Sequence, residues 1–538
     1  MRMVRPCSKN SRKTRKTGEI KEEAHLGAPL IVDERKEHAI MVIMYDLFFK
    51  MIQKIMWLLL VFWIFVAVMQ LFVLSWLIAI VFLAVVIYAF YHREKILRGF
   101  QWLMRYKKLL AIGAIIFQLA VILSANLLVR RDAAVVINGA FELIKDSSIS
   151  NYLTRNPNNL SMFLYARSLY HLFGYKAIWV LQLLGMVYMN GTAWILYKTA
   201  QKYFNQTSAD VAFTLYLLLL GFSPYVIQTY TDLTGLPYLA LQTYLTMGII
   251  KDKEISIGKI ATLGVVTTLA LIFRPTGAIS IIAFFILLFL EKSWKKLGQV
   301  VLIFGLSFGL TMGLNSYIKQ QQTEVVIQQK EELAKSWLTF INLGLTYSGT
   351  DQTDMKNGLL QYIPESEWNN YNNGMFANEN EIKEIKRRLS EYTVLSFSSH
   401  IVYKLGKTLY DGSLNWLYMS PEKEKSAFIS PLYVYTKDNA LAEWVRKFII
   451  EYDSPSYVFY KIVKQPIWIV MVLGAFVPVW KYRRYRQLNY LLLTIFGGIL
   501  FLMVFEGGKT RYLIQFLPQI FLLSSIGLAT WLHQEKTE

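Results

Sequence analysis

Residues Arg130–Asn159 read RRDAAVVINGAFELIKDSSISNYLTRNPNN and follow directly on the apolar run Leu109–Val129. A run of that length and composition suits a helix crossing a bilayer, where each backbone group must find its partner within the chain. The stretch therefore begins where a helix leaves the membrane, and it sets a carboxylate, Asp132, a residue or two from that exit. Behind Asp132 come a partly apolar segment, an aromatic side chain at Tyr152 and the rigid turn Asn156-Pro157-Asn158-Asn159. Either Asp132 does chemistry at the membrane surface or it marks the end of a span.

The rest of the chain has the same character. Of its 538 residues 54% are hydrophobic and 15% aromatic, more apolar material than a soluble core of that length needs. Several runs reach the roughly 20 residues that cross a bilayer as helix. The alternation of a membrane β-barrel is missing. The sequence predicts an all-α polytopic membrane protein whose first partner is the lipid bilayer. A net charge of +20 would suggest nucleic acid in a soluble protein. Basic cytoplasmic loops explain it here, and no nucleic-acid partner is expected. The lone cysteine, Cys7, excludes an intrachain disulfide and a cysteine-based metal site. No His-Glu-x-x-His spacing joins the histidines, so a zinc hydrolase is not indicated. No cofactor is called for; a divalent metal is open, with no ligand set pointing to one.

Taken in order, residues 1–54 form a basic cytoplasmic tail and 55–91 a transmembrane hairpin with Gln70 and Ser75 near its middle. His92–Lys108 carries Arg93, Lys95, Arg98, Arg105, Lys107 and Lys108 against a single Glu94, a cytoplasmic signal. Residues 109–318 make a membrane core with an outer loop at 130–175, in which Leu160–Tyr175 reads as an interfacial or half-buried helix. Residues 319–465 make a mainly helical extracytoplasmic domain, and 466–532 the C-terminal spans. The total is about twelve transmembrane helices, with ends good to a few residues. From a cytoplasmic N-terminus, the inside loops Lys198–Lys202, Lys251–Lys253, Glu291–Lys296 and Lys481–Arg486 (KYRRYR) all carry lysines or arginines. That alternation puts Ser223–Asp232, Phe273–Thr276 and Glu506–Arg511 outside, and a plasma-membrane location is expected.

Four polar clusters then fall at helix ends on that one outer side: Arg130-Arg131-Asp132; Tyr230-Thr231-Asp232; Phe273-Arg274-Pro275-Thr276; and Glu506 through Tyr512, EGGKTRY. Ionisable groups at the hydrocarbon boundary are costly unless solvated or paired, which makes them candidates for function. Carboxylates beside guanidinium groups suit group transfer from a phosphate. The carboxylate takes a proton from an acceptor hydroxyl, while arginine holds the departing phosphate through paired N–H donors.

At these residues the chain resembles the membrane-embedded glycosyltransferases of the GT-C fold that use polyprenyl-phosphate sugars. The likeness is to a bacterial branch related to the protein O-mannosyltransferase and aminoarabinose-transferase group, and it runs from about Leu109 to Leu532. An early acidic residue in the first outer loop is matched by Asp132, and an aromatic followed by a Pro-Asn-Asn element by Tyr152 and Pro157-Asn158-Asn159. Tyr230-Thr231-Asp232, Arg274-Pro275-Thr276 and a late run of Glu506, Arg511, Tyr512 and Pro518 match later landmarks. Ala133 departs from the Asp-Glu pair of many relatives, and the N-terminal tail and hairpin do not correspond to the usual start. The resemblance implies an inverting transfer at the extracytoplasmic face, from a polyprenyl-phosphate-linked sugar donor to an unknown envelope acceptor. Asp132 would be the general base. Asp232 would orient the acceptor or Arg274; Arg274, Arg511 and Lys509 would hold the phosphate. Tyr152, Asn158, Asn159, Tyr230 and Glu506 would contact sugar or acceptor.

Each residue also has a plainer reading. Asp132 reads as an interfacial acid balanced by Arg130 and Arg131, Asp232 as a helix N-cap, Arg274 as the anchor of a tight turn, and Glu506 with Arg511 as a surface ion pair. Gly508-Lys509-Thr510 is not a phosphate loop, because Met503 stands where that motif needs its first glycine. The rival classes are a flippase or transporter of lipid-linked oligosaccharide, which calls for charges near the bilayer midplane and related halves, and a non-enzymatic cell-envelope assembly protein.

Overall fold

The computed structural model describes residues 28–252, 254–424, 427–481 and 485–533. The expectations for the tail before residue 28, including Cys7, for Lys253 and for residues 482–484 of the KYRRYR run lie outside the described residues. The chain divides into two units, Met1–Phe48 and Phe49–Glu538. A long helix, α1 (Ala28–Leu74), starts in the first; the second holds all the remaining elements.

The expected N-terminal hairpin breaks at Ser75, whose side chain accepts from the Ile78 amide and so starts α2 (Trp76–Tyr91). The basic stretch after it is helical rather than a loop: α3 (Arg93–Arg105) leaves α2 at 99°. Next, α4 (Lys107–Ser124) ends five residues short of the expected Val129, and β1 (Leu127–Arg130) follows. This strand is a local exception to a chain that is otherwise helical, as expected. A short apolar run reads the same as helix end or buried strand, and its partner lies some three hundred residues away. Then come α5 (Arg131–Ala140), α6 (Asp146–Arg155), a 3-10 turn at Pro157–Asn159, α7 (Leu160–Phe173), α8 (Ala177–Tyr203) and α9 (Gln206–Tyr216), the last started by Asn205.

A second run of long helices follows: α10 (Thr231–Lys251), α11 (Ile257–Phe273), α12 (Ala278–Leu290) and α13 (Trp294–Gln321). Helix α10 is buried along nearly its whole length and packs on α8 and α11. Its polar side chains are spent on neighbours: Gln242 donates to Thr267 Oγ1 (3.1 Å) and accepts from Ser280 Oγ (2.7 Å), while Gln519 donates to Thr243 Oγ1 (2.8 Å). A helix that meets protein rather than lipid tolerates such residues because each finds a partner. By contrast α13 buries little and shows Leu302, Leu306, Leu310 and Leu314 outward, the surface of a helix facing lipid.

Residues 322–457 carry the short helices α14 (Trp337–Gly344), α15 (Gln352–Leu360), α16 (Asn378–Glu391) and α17 (Val394–Leu409), then β2 (Ala427–Ile429), α18 (Tyr433–Thr436) and α19 (Ala440–Val445). Capping boxes at Ser336/Thr339 and Thr393/Ser396 start α14 and α17. Strand β2 pairs antiparallel with β1, Val129 opposite Phe428. The chain ends with α20 (Val458–Lys481), α21 (Arg486–Val504) and α22 (Leu517–His533); α20 and α22 approach closely at Gly474 and Gly527. Small residues at such a crossing let two backbones meet.

Among the described residues, seven helices are long and apolar enough to cross a membrane, eight if the bent α2–α3 pair counts as one span, with Ile257–Phe273 and Pro275–Leu290 as shorter apolar helices. The protein is thus a helical, multi-span membrane protein. The remaining expected spans fall on α9, which gives way to a π turn at Leu217–Gly221 and a 3-10 turn at Pro224–Ile227, and on α10, which is long enough but carries many polar residues.

Candidate active site

The first cluster is placed by β1. Pairing with β2 delivers Arg130, which is buried, to Glu424 at 2.8 Å and over the ring of Tyr418 at 5.5 Å. The chain then turns directly from strand into helix at Arg131, whose φ of 53° is left-handed, a conformation a non-glycine residue holds only under constraint from its surroundings. That turn leaves Asp132 exposed in the first turn of α5, where the helix dipole favours a carboxylate. Asn126 and Arg446 secure the segment from below, through Glu451 (2.5 Å) and the Ser124 carbonyl (3.0 Å).

Tyr152 on α6 and Asn159 in the Pro157–Asn159 turn meet Tyr230, which precedes α10. The Tyr230 hydroxyl donates to Asn159 Oδ1 at 2.6 Å, and Asn159 Nδ2 donates to the Tyr152 oxygen at 2.9 Å. Burial pushes Tyr230 up to about 12 and Tyr152 higher still, with Asp132 adding to both, so both phenols stay neutral. Three residues expected to touch substrate thus spend much of their hydrogen-bonding capacity on one another.

Asp232 sits in the first turn of α10 and is only 3% exposed. It does not cap the helix: one oxygen accepts from Arg511 Nε at 2.9 Å and the other is paired with Arg274 Nη2. Gly235, one turn on, leaves room for Arg274 to lie across the helix; a Cβ there would come within 3.2 Å of Arg274 Cγ. Burial, then the neighbouring Arg511, lower the Arg274 pKa. Glu506 takes the Tyr512 hydroxyl. The expected Glu506–Arg511 surface pair is therefore replaced by two separate partnerships.

The loop after α21 is held by α17. Fully buried Lys404 donates to the carbonyls of Gly344 (3.0 Å), Met503 (3.0 Å) and Phe505 (2.6 Å). Gly508, at φ 79°, donates to Thr408 Oγ1 at 3.0 Å. This presents Lys509 and Arg511 on one side, and burial lowers the Lys509 pKa, Glu506 opposing.

These elements enclose a cavity of about 610 Å³. Asp132, Tyr152, Asn158, Asn159, Tyr230, Arg274, Glu506, Lys509 and Arg511 all line it. Asp232 does not; it stands behind the wall, bonded to both arginines. Several lining residues escaped the sequence reading. Lys335 lies just before α14, and burial lowers its pKa against the pull of Asp132. Trp416 and Tyr418 stack at 4.2 Å and 7°, with Tyr225 edge-on to Trp416 at 4.9 Å. Asp351 is occupied as the cap of α15, accepting from the amides of Thr353 and Asp354. Arg130 also lines the cavity, and its buried Nε and Nη1 have no hydrogen-bond acceptor among the described residues.

A charge count of the wall gives six cations (Arg130, Arg131, Arg274, Lys335, Lys509, Arg511) and three carboxylates (Asp132, Asp351, Glu506). Two of those carboxylates are occupied. The Asp132 carboxylate makes no hydrogen bond or ion pair among the described residues. No group of three or more His, Cys, Asp or Glu among the described residues is placed to hold a metal ion.

A family model described as "Conserved hypothetical integral membrane protein" matches residues 38–531. The chain belongs to that family. No curated protein matches this member of it in sequence. Two similar solved structures are ArnT from Cupriavidus metallidurans bound to undecaprenyl phosphate (11% identity, TM-score 0.33, 78% of each chain covered) and the same protein in the apo state (12%, 0.30, 78% of this chain and 77% of that one). Superpositions with TM-scores of 0.33 and 0.30 fix no residue correspondence, so the site is read from its own geometry.

Proposed function

We propose that this protein is a membrane glycosyltransferase of GT-C type. In this reading it moves a sugar from a polyprenyl-phosphate donor to an acceptor hydroxyl at the extracytoplasmic face, with Asp132 as general base. The observation that carries the reading is the pairing state of the cavity's acids. Asp232 is committed to two arginines, Glu506 to Tyr512 and Asp351 to a helix cap, which leaves Asp132 as the one carboxylate without a partner among the described residues, on a wall rich in cations.

The chemistry follows from those roles. The acceptor O–H gives its proton to the Asp132 carboxylate as its oxygen attacks the anomeric carbon from the face opposite the phosphate. The bond from that carbon to the phosphate oxygen breaks, and the electron pair leaves on the phosphate. Arg274, Arg511 and Lys509 hold the charge that develops, with Lys335 as a further cation; preorganised donors of this kind cost no rearrangement at the moment of reaction. The unpaired N–H groups of Arg130 gain an acceptor when an anion or sugar oxygen enters. Asp232 is a positioning residue: it fixes two guanidinium groups side by side that would otherwise repel. The Tyr152–Asn159–Tyr230 chain shapes the wall opposite, with Asn158 facing the sugar. A lipid carrier suits a cavity built from the ends of apolar helices, and the alternation of basic loops supports an extracytoplasmic opening.

The test is direct. Purified protein is incubated with a panel of polyprenyl-phosphate sugars and hydroxyl-bearing envelope fragments, and released polyprenyl phosphate is measured by mass spectrometry. Release from one donor, dependent on acceptor, is the expected result; no release from any donor contradicts the reading.

A further inference from the structure

The basic stretch after the N-terminal hairpin takes no part in the cavity, yet it folds in a specific way. Helix α3 runs at 99° to α2. A helix set at that angle to the apolar α2 lies along the membrane plane where α2 stands along the bilayer normal. Its apolar residues Ile96, Leu97, Phe100, Leu103 and Met104 recur at spacings of one, three and four and share one stripe. Only Met104 is fully buried by protein, where the Thr214 hydroxyl meets its sulfur at 3.2 Å; Leu103 is 41% exposed. The opposite side carries Lys95, Arg98 and Arg105, all exposed and without an ion-pair partner among the described residues, with Trp102 (58% exposed) between them. Glu94 is the single acid on the helix. The neighbouring Lys107 is already used by Asp210 at 2.9 Å.

An apolar stripe half covered by protein and a cationic side beside an indole is the composition of a helix that rests at the boundary between headgroups and acyl chains. We infer that α3 is a binding surface for anionic phospholipid, with Lys95, Arg98 and Arg105 on the headgroup phosphates and Trp102 at the interface. The inference is independent of the activity proposed for the cavity. Each cation near an anionic leaflet is worth about a fivefold change in relative affinity, and the attraction is screened by salt.

The full-length protein is reconstituted into nanodiscs of phosphatidylcholine alone or with phosphatidylglycerol, one or the other brominated on its acyl chains. The part of the tryptophan fluorescence that disappears in Trp102→Phe reports on α3. Stronger quenching of that part by brominated phosphatidylglycerol, reduced by high salt and lost in K95Q/R98Q/R105Q, is the expected result. Equal quenching by the two lipids, quenching by neither, or a preference that survives in the triple variant overturns the inference. Should the triple variant not reconstitute, Arg98→Gln alone must lower the preference several-fold, and an unchanged preference there counts against the inference equally.

Discussion

Replacing Asp232 by Asn tests the electrostatic frame of the cavity without touching the group assigned to proton transfer. The wild-type carboxylate neutralises one of two adjacent guanidinium groups. Arg274 is 17% exposed at its side chain and Arg511 34%. Removing one partner of a buried pair costs about 3–5 kcal/mol, whereas a pair as exposed as that with Arg511 is worth about 0–1 kcal/mol after solvent screening. The amide oxygen of Asn keeps one acceptor and returns about 1 kcal/mol. The variant is thus expected to lose about 3 kcal/mol, dominated by Arg274. It also leaves the two arginines with a net charge of +2 in place of +1, so an anion entering the cavity gains more in the variant than in the wild type. Thermal unfolding followed by tryptophan fluorescence in detergent, with and without polyprenyl phosphate, reads both effects. The expected pattern is a lower Tm for Asp232→Asn and a larger upward shift on adding the lipid phosphate. Equal melting of the two proteins refutes the buried-pair argument, and an equal or smaller ligand shift refutes the placement of the phosphate beside Arg274 and Arg511.

Three further outcomes are expected. Tyr230→Phe strands the buried Asn159 Oδ1 that now accepts at 2.6 Å, which costs about 1–3 kcal/mol in a denaturation or thermal-shift measurement. Burial pushes Lys404 down to about 8 from 10.5; a lysine lowered in the folded state binds fewer protons than the unfolded chain between those values, so the folded state gains as pH rises across that window. The Tm difference between wild type and Lys404→Met should accordingly widen from about pH 8 to about pH 10 and stay flat below pH 7. Gly527→Val drives a side chain into the Gly474 carbonyl and forces α20 and α22 apart at a cost of about 1–3 kcal/mol or more, which a fall in monodisperse protein on size-exclusion chromatography checks.

The helices of this protein were legible because apolar runs and basic loops alternate over long distances, a signal that survives uncertainty at every end. The hairpin broke at Ser75, a residue already marked as polar in an apolar run. Strand β1 was not legible: Leu127–Arg130 is four residues long, buried throughout and continuous with a membrane helix, and only its pairing with Ala427–Ile429 separates strand from helix. Helix α3 hid for the opposite reason, since its charges announced a side of the membrane and masked an apolar stripe. At the cavity, residues grouped in short clusters at helix ends could be found from order and sidedness. Lys335, Trp416 and Tyr418 could not, because they lie singly in a mixed segment with no periodicity to mark them. Nor could sequence tell which acid was free: Asp132 follows two arginines and Asp232 has none near it in the chain, yet in the fold it is Asp232 that pairs with Arg274 and Arg511.

The central claim is that the unpaired carboxylate of Asp132 removes the acceptor's proton while the cations hold the lipid phosphate. Asp132→Asn separates the two functions, because it removes the base and leaves every cation of the wall in place. Turnover of the donor identified in the panel should fall by about 10²–10⁴-fold, while the protein still inserts and binds polyprenyl phosphate with an affinity equal to or above that of the wild type. Undiminished transfer by Asp132→Asn would contradict the account.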